Sequence, residues 1–185
     1  MSTSLPSSGD VRRASAAADA EIADAREGGL RVAEVGVGYG GQAQLVLAGG
    51  VPGVARYELY DLPDALALAR RFLAATLPAE RAEAAAPRDV ADEAGADGAA
   101  LDLFVSNFAL SELPRALQEP YIERVAARAA RGYVTWNHGI RADAMNAKEF
   151  ADAIRARRGA ATAVKIVDEC PRTAPENVIV TWEPA

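Results

Sequence analysis

Hydrophobic and polar positions along the chain follow two alternating periods. Short apolar runs typical of buried strands occupy about 31–36 and 101–108, residues 54–60 alternate toward a second strand, and the segment GYVTWN at 132–137 predicts a further one. Between these runs, apolar side chains recur at helical spacing, as at Leu66 and Leu73. Strands that alternate with helices form right-handed βαβ units. The pattern therefore predicts a doubly wound, Rossmann-like α/β fold with a mostly parallel sheet.

Helix boundaries are predicted from glycine and proline. The spacing predicts a helix that Pro120 opens and Gly132 closes, because proline is accommodated in a first turn and glycine at a helix end. Its inward face would carry Ile122, Val125, Ala126 and Ala129. Four further helices are predicted at 11–27, from Gly41 to Gly49–Gly50, from Pro63 to just before Pro78, and at 147–158 with Gly159 as the cap.

The end of the chain departs from the alternation. TAVKIVDE (162–169) and NVIVTWE (177–183) follow each other directly, which predicts a C-terminal antiparallel hairpin at one edge of the sheet. Residues 79–100 show no clear period and are expected to hold a short third strand and a short helix. Residues 1–10 are predicted to be disordered, and residues 11–185 to form one domain.

The segment RVAEVGVGYGGQ (31–42) carries the clearest chemical signal. It reads as a buried strand that breaks into a glycine-rich turn, where backbone can approach a ligand closely. Glu34 stands just ahead of the first glycine. A carboxylate there suits a ligand with cationic or hydroxyl groups and repels a pyrophosphate. The segment favours S-adenosylmethionine (SAM) over a dinucleotide.

Two glycine patterns fit this turn. Gly36, Gly38 and Gly41 satisfy the dinucleotide pattern GxGxxG, which is weak alone. Glu34 with Gly36, Gly38 and Gly40 satisfies the E/DxGxGxG pattern of methyltransferases, and the C-terminal hairpin also favours that group. Asp61 ends the second predicted strand, 21 residues beyond Gly40. An acidic residue at this distance hydrogen-bonds ribose hydroxyls in such folds, although Asp61 also suits an N-cap of the following helix.

Composition and charge exclude several classes. The formal charge of −6 argues against nucleic acid or an anionic membrane as the main partner. No apolar run approaches the roughly 18–20 residues of a membrane span, and the N-terminus lacks a signal-peptide core. One cysteine and one histidine cannot form the usual zinc site. Oxygen ligands for magnesium or calcium are present, but no aspartate-rich loop has the required spacing, and no metal is expected. The lone cysteine also fits a reducing compartment, and the expected localisation is cytoplasmic.

Three segments carry a resemblance to a known family. EVGVGYGGQAQLVL, YELYDLPDALALARRFL and LDLFVSNFALSELP resemble the bacterial sugar O-methyltransferase family, within the class I SAM-dependent methyltransferases. The resemblance covers about 30–140. It implies SAM as the cofactor and a class I methyltransferase fold.

Carried over to this sequence, the resemblance assigns cofactor-binding residues. It implies that Glu34 and the glycines at 36, 38 and 40 surround the amino-acid half of SAM. Asp61 would take the ribose hydroxyls, with Leu62 against the adenine. Asp89 is the candidate for the adenine amine, with Val90 alongside.

Two further residues are site candidates from their positions. Asn107 ends the strand LDLFVSN, where the transferred methyl group would lie, and it equally suits a cap for the next turn. His138 is the only histidine and follows the strand GYVTWN. Since histidine is the commonest general base near neutral pH, His138 is the candidate base for an alcohol acceptor, or alternatively an ordinary turn residue.

The predicted activity is methyl transfer from SAM to oxygen of a small molecule, with a sugar as one acceptor class. A nicotinamide-dependent oxidoreductase is the first alternative, and a non-catalytic SAM-binding module or partner subunit is the second. The resembling family carries a further N-terminal region, of which this sequence shows one helix. The acceptor pocket is therefore expected from loops 108–120 and 138–147, or from another protomer or partner subunit.

Overall fold

The computed structural model describes residues 28–91, 100–139 and 141–185 of the protein. The predicted disordered segment 1–10 and helix 11–27 lie outside the described residues. Within the described part of the chain, seven strands form one sheet. They are β1 (Leu30–Val35), β2 (Val54–Tyr60), β3 (Ala85–Arg88), β4 (Leu101–Asn107), β5 (Ala129–Trp136), β6 (Thr162–Asp168) and β7 (Val178–Pro184).

The sheet order is β3-β2-β1-β4-β5-β7-β6. Strands β1 to β5 are parallel to one another, whereas β7 is antiparallel to both β5 and β6. The chain runs outward from β1 through β2 to β3 and then crosses back to β4 on the other side of β1, so the strand order reverses between β1 and β4. Ligands bind beside such a reversal, at the carboxyl ends of the strands. The predicted mostly parallel fold with a C-terminal antiparallel hairpin is confirmed.

Helices cover both faces of this sheet. A short helix, α1 (Gly41–Leu45), continues into a π-helical turn at Val46–Gly50. The helix and the turn together occupy the predicted helix that ends at Gly49–Gly50. The short helix and the third strand expected within 79–100 are α3 (Ala79–Glu83) and β3. The α-helices in chain order are α1 (Gly41–Leu45), α2 (Pro63–Thr76), α3 (Ala79–Glu83), α4 (Arg115–Arg124) and α5 (Ala147–Arg158).

The predicted helix from Pro120 to Gly132 is wrong. Helix α4 begins directly after Pro114, and Pro120 lies inside it, where its missing N–H costs one intrahelical bond. The chain leaves α4 at Arg124 and enters β5 at Ala129. Gly132 belongs to β5, where an added Cβ would lie 2.2 Å from the Trp182 ring. This glycine makes room for a strand contact and does not end a helix.

Two buried clusters lie on opposite faces of the sheet. On the face covered by α1 and α2, which we term the α2 face, Val32, Tyr57 and Leu59 pack against helix residues such as Leu73. On the other face, termed the α5 face, the buried side chains come from the strands and from α4 and α5. They include Ala33, Val35, Phe104, Trp136, Phe150, Ile154 and Trp182. Among the described residues, no helix combines the length and hydropathy needed to cross a membrane.

Candidate functional site

The glycine-rich turn after β1 is held by the end of β2. The Gly36 N–H donates to the Tyr60 carbonyl at 2.9 Å, and the Gly38 N–H donates to Asp61 Oδ2 at 2.9 Å. The other Asp61 oxygen accepts from the Leu62 N–H at 2.7 Å. An ionised carboxylate has about four lone-pair sites, so each Asp61 oxygen can still accept a hydrogen bond from a ligand hydroxyl.

Glycine is required at two points of this turn. Gly36 has a φ of +86°, and a Cβ there would lie 2.0 Å from the Ala109 Cβ in the segment after β4. Gly40 has a φ of +91° and precedes α1, and a Cβ there would lie 3.2 Å from the Ala69 Cβ of α2. A larger residue at position 36 would therefore push the ends of β1 and β4 apart.

A cavity of about 590 Å³ opens beside the turn. Five predicted cofactor-binding residues line it: Gly36, Asp61, Leu62, Asp89 and Val90. The wall also includes residues that the sequence analysis did not assign to the cofactor, among them Leu66, Arg70, Arg88, Ala109, Leu113 and Tyr121. The cavity has the size and the mainly apolar wall with a few polar groups that small-molecule sites share.

Asp89 and Val90 reach this cavity because they directly follow β3. Asp89 Oδ1 accepts from the Ala91 N–H at 2.8 Å. The Val90 carbonyl accepts from the Arg124 guanidinium at 3.1 Å. The short strand that the sequence pattern hid thus brings Asp89 to the same edge of the sheet as Asp61. Its contact with an adenine amine stays a prediction.

Glu34 lies behind the turn and not in the cavity wall. Its side chain is on the α2 face of β1, with the residue only 3% exposed, and Oε2 accepts from the Tyr57 hydroxyl at 2.8 Å. Burial raises the pKa of Glu34 to about 7, with a further rise from Asp61 and an opposing effect of the Tyr57 hydrogen bond. Within the described residues no cation forms an ion pair with this carboxylate.

Asn107 is connected to Glu34 through side chains that the sequence analysis missed. Asn107 ends β4, and its Nδ2 donates to Gln42 Oε1 of α1. Burial raises the pKa of the Tyr57 phenol well above its ordinary value, and the Gln42 amide acts on that pKa in the opposite direction. A tyrosine in the middle of the strand next to β1 was the available signal. Asn107 itself lines neither of the two cavities described for this site.

His138 lies apart from the larger cavity, in the wall of a smaller one of about 140 Å³. Its Nε2 lies 3.9 Å from Glu176 Oε2, and its side chain is about half exposed. The other wall residues include Ser111, Trp136 and Asn137. Since Ala109 and Leu113 line the larger cavity, both cavities have the segment 109–113 in their walls.

No family model matches the sequence, and no curated protein matches it. Solved structures do match the chain. The methyltransferase domain of bacterial CtHen1 matches with a TM-score of 0.61 and 13% identity, over 95% of this chain and 96% of that one. The fold is that of the class I methyltransferases.

Other structures with the methyltransferase fold agree. An O-methyltransferase family protein from Burkholderia thailandensis has a TM-score of 0.61 and 14% identity, over 96% of this chain and 58% of that one. The glycopeptide N-methyltransferase MtfA, solved in complex with SAM, has a TM-score of 0.60 and 13% identity, over 91% and 93% of the two chains. At such identities the likeness is one of fold, and it includes the antiparallel end of the sheet.

Proposed function

We propose that the protein is a SAM-dependent methyltransferase that methylates an oxygen of a small molecule, with a sugar hydroxyl as the leading acceptor class. One observation carries the proposal: the glycine turn lies between Glu34 and Asp61, beside a cavity of about 590 Å³ in a sheet of methyltransferase order. The acceptor class rests on the resemblance of three segments to sugar O-methyltransferases. The negative formal charge of −6 also favours a small acceptor over nucleic acid.

The residues present fit this cofactor. Glu34 is a buried carboxylate with no cation bound among the described residues, and the amino group of SAM would supply one. Asp61 keeps acceptor capacity for the two ribose hydroxyls. Leu62 and Val90 offer apolar surface for the adenine ring, and Asp89 offers an acceptor for its amine.

When bound, SAM supplies an electrophilic methyl carbon. The protein's own work is then to orient the acceptor, exclude water and accept a proton. His138 is the proposed base for the acceptor hydroxyl, with Glu176 stabilising the imidazolium that forms. The smaller cavity, which His138 lines, is the proposed acceptor side, and the segment 109–113 separates it from the cofactor side. Such positioning contributes several kcal/mol to barrier lowering.

The decisive experiment is isothermal titration of the purified chain with SAM, S-adenosylhomocysteine and NADH. Asp61→Ala removes the carboxylate that faces the cavity. Asp64→Ala is its matched control, because Asp64 is an exposed acidic residue in the first turn of α2. We expect both adenosyl compounds to bind the wild type, roughly 100-fold weaker binding to Asp61→Ala because two charge-assisted hydrogen bonds are lost, and no change in Asp64→Ala.

The ligands also separate the alternatives. Tight NADH binding would replace the proposal with a nicotinamide-dependent oxidoreductase. Binding of SAM without turnover of any sugar or phenol by the isolated chain would favour a partner subunit or second copy that completes the acceptor pocket. Light scattering of the same sample then tells a homo-oligomer from a chain that requires another protein.

A further inference from the structure

Four side chains from four elements form one connected line beneath the glycine turn. Asn107 of β4 donates to Gln42 of α1, the Gln42 amide acts on the Tyr57 phenol of β2 and lowers its pKa, and the phenol donates to Glu34 of β1 at 2.8 Å. Each bond crosses between elements that are distant in sequence. The line ends on the buried carboxylate that the proposed function assigns to the amino-acid half of SAM.

Tyr57 is the member that fixes Glu34. The Tyr57 residue is 0% exposed on the α2 face, so water does not compete for its hydroxyl. The hydrogen bond to Oε2 orients the carboxylate, because the side chain of Glu34 has three torsions that would otherwise be free to vary.

We propose that Tyr57 is a positioning residue for the cofactor: its hydroxyl holds the Glu34 carboxylate for the ammonium group of SAM, and binding of that group releases a proton from the protein. This inference rests on the proposed function and adds to it a residue and a pH dependence. The step balances, since the Glu34 carboxyl O–H gives its proton to the buffer and the carboxylate then pairs with the ligand's ammonium.

The electrostatics around Glu34 support the release. The titratable groups that act on it are the Tyr57 phenol of β2 and the Asp61 carboxylate in the turn after β2. The neutral amides Gln42 of α1 and Asn107 of β4 reach the pair only through Tyr57. None of these groups is cationic, and the pKa of Glu34 stands at about 7. A bound ammonium therefore favours the anion and lowers that pKa.

The test uses two ligands and two matched variants. S-adenosylhomocysteine carries the ammonium group and 5′-methylthioadenosine lacks the amino-acid half. Tyr57→Phe removes the hydroxyl from Glu34. Tyr60→Phe removes the corresponding hydroxyl from Glu58, which Tyr60 donates to at 2.9 Å on the α5 face, and serves as control. Titration calorimetry from pH 5.5 to 7.5, in buffers of different ionisation enthalpy, gives affinity and protons released together.

We expect wild-type affinity for S-adenosylhomocysteine to rise with pH up to about 7, with roughly half a proton released per ligand at pH 7. Tyr57→Phe should weaken this ligand about tenfold at pH 7 and move the pH midpoint upward, since the lost bond favours the Glu34 anion. The affinity for 5′-methylthioadenosine should stay the same in Tyr57→Phe, and Tyr60→Phe should match the wild type for both ligands.

The inference is overturned if Tyr57→Phe binds S-adenosylhomocysteine with wild-type affinity and midpoint, while the proposed function stands. It is also overturned if the wild type binds this ligand without proton release, a result that needs no variant to fold. Weakening of both ligands alike in Tyr57→Phe would indicate a general loss of structure and contradict the assigned role. Failure of the wild type to bind either ligand would instead remove the proposed function, and the inference with it.

Discussion

Two buried glutamates on neighbouring strands have opposite surroundings. Glu34 of β1 is 3% exposed on the α2 face, and Glu58 of β2 is 0% exposed on the α5 face. Each accepts a hydrogen bond from a tyrosine of β2, at 2.8 Å from Tyr57 and at 2.9 Å from Tyr60. Among the residues that the structure describes, only Glu58 of the two has cations around it, at 3.3, 3.7 and 4.0 Å, from Arg31, Arg88 and Arg128.

The difference separates a structural charge from a charge that fits a ligand. Burying a carboxylate costs free energy unless a cation or several hydrogen bonds offset the cost. The protein itself offsets the cost for Glu58. For Glu34 the described residues supply a phenol but no cation, and the group lies behind the glycine turn, whose Gly36 lines the cavity of about 590 Å³. The proposed cofactor site expects a cationic group of the ligand to pair with this carboxylate.

The largest expected effect is the loss of unfolding free energy when Glu58, the glutamate with a structural role, is substituted. Glu58→Gln keeps the shape but removes the charge that three guanidinium groups share, which should cost about 3–5 kcal/mol of unfolding free energy. Glu34→Gln should cost less than about 1 kcal/mol at pH 7.5, because no cation loses its partner. Denaturant unfolding of both variants measures the difference. Equal losses would mean that the two glutamates play the same role.

The pH dependence of stability should distinguish the pair next. The folded protein raises the pKa of Glu34 from 4.5 to about 7, so the folded state holds its proton more tightly than the unfolded chain does. The contribution of this group is therefore fully present below about pH 4.5 and is lost as pH rises through 7, by about 3 kcal/mol. The difference in unfolding free energy between wild type and Glu34→Gln, followed from pH 4.5 to 8, isolates it. Parallel pH curves for the two proteins would refute the assignment.

The smallest expected effect is on ligand binding, from a substitution at Gln42, which lies further from Glu34 than Tyr57 does in the line of side chains. Gln42→Leu removes the neutral amide that lowers the pKa of Tyr57 and should weaken S-adenosylhomocysteine binding about threefold to fivefold at pH 7. Gln44→Leu, two residues further along α1, is the matched control and should bind as the wild type does. If both leucine variants weaken binding alike, the effect belongs to α1 as a whole and not to the contact with Tyr57.

Local sequence patterns predicted most of the fold. The strand 54–60 and the helix 147–158 match β2 and α5 residue for residue, because each has a clear period and a clear boundary. The helix in the segment from 114 to 132 was misjudged because tertiary contacts decide its bounds. Position 132 is a glycine because the Trp182 ring packs against β5 there and leaves no room for a Cβ. No local sequence pattern contains that contact.

The candidate site divides in the same way. The glycine turn and Asp61 come at the ends of two consecutive strands, so their spacing in the sequence was sufficient to predict that they lie close together. Tyr57 and Gln42 were not predicted, because their partners lie 23 and 65 residues away and the contacts depend on strand register. Asp89 was an expectation from resemblance alone until β3 placed it in the cavity wall. The ligand contacts of all these residues stay predictions.

The positions of the two tryptophans give the protein a built-in optical probe. Both Trp136 and Trp182 are buried in the α5-face cluster, and Trp136 also lines the smaller cavity beside His138. The wall of the larger cavity contains neither of them. Tryptophan emission should therefore change when a compound fills the smaller cavity, the proposed acceptor side. It should stay the same when a nucleoside fills the larger cavity. Acceptor candidates can be screened without a label, by emission alone, in protein already saturated with S-adenosylhomocysteine.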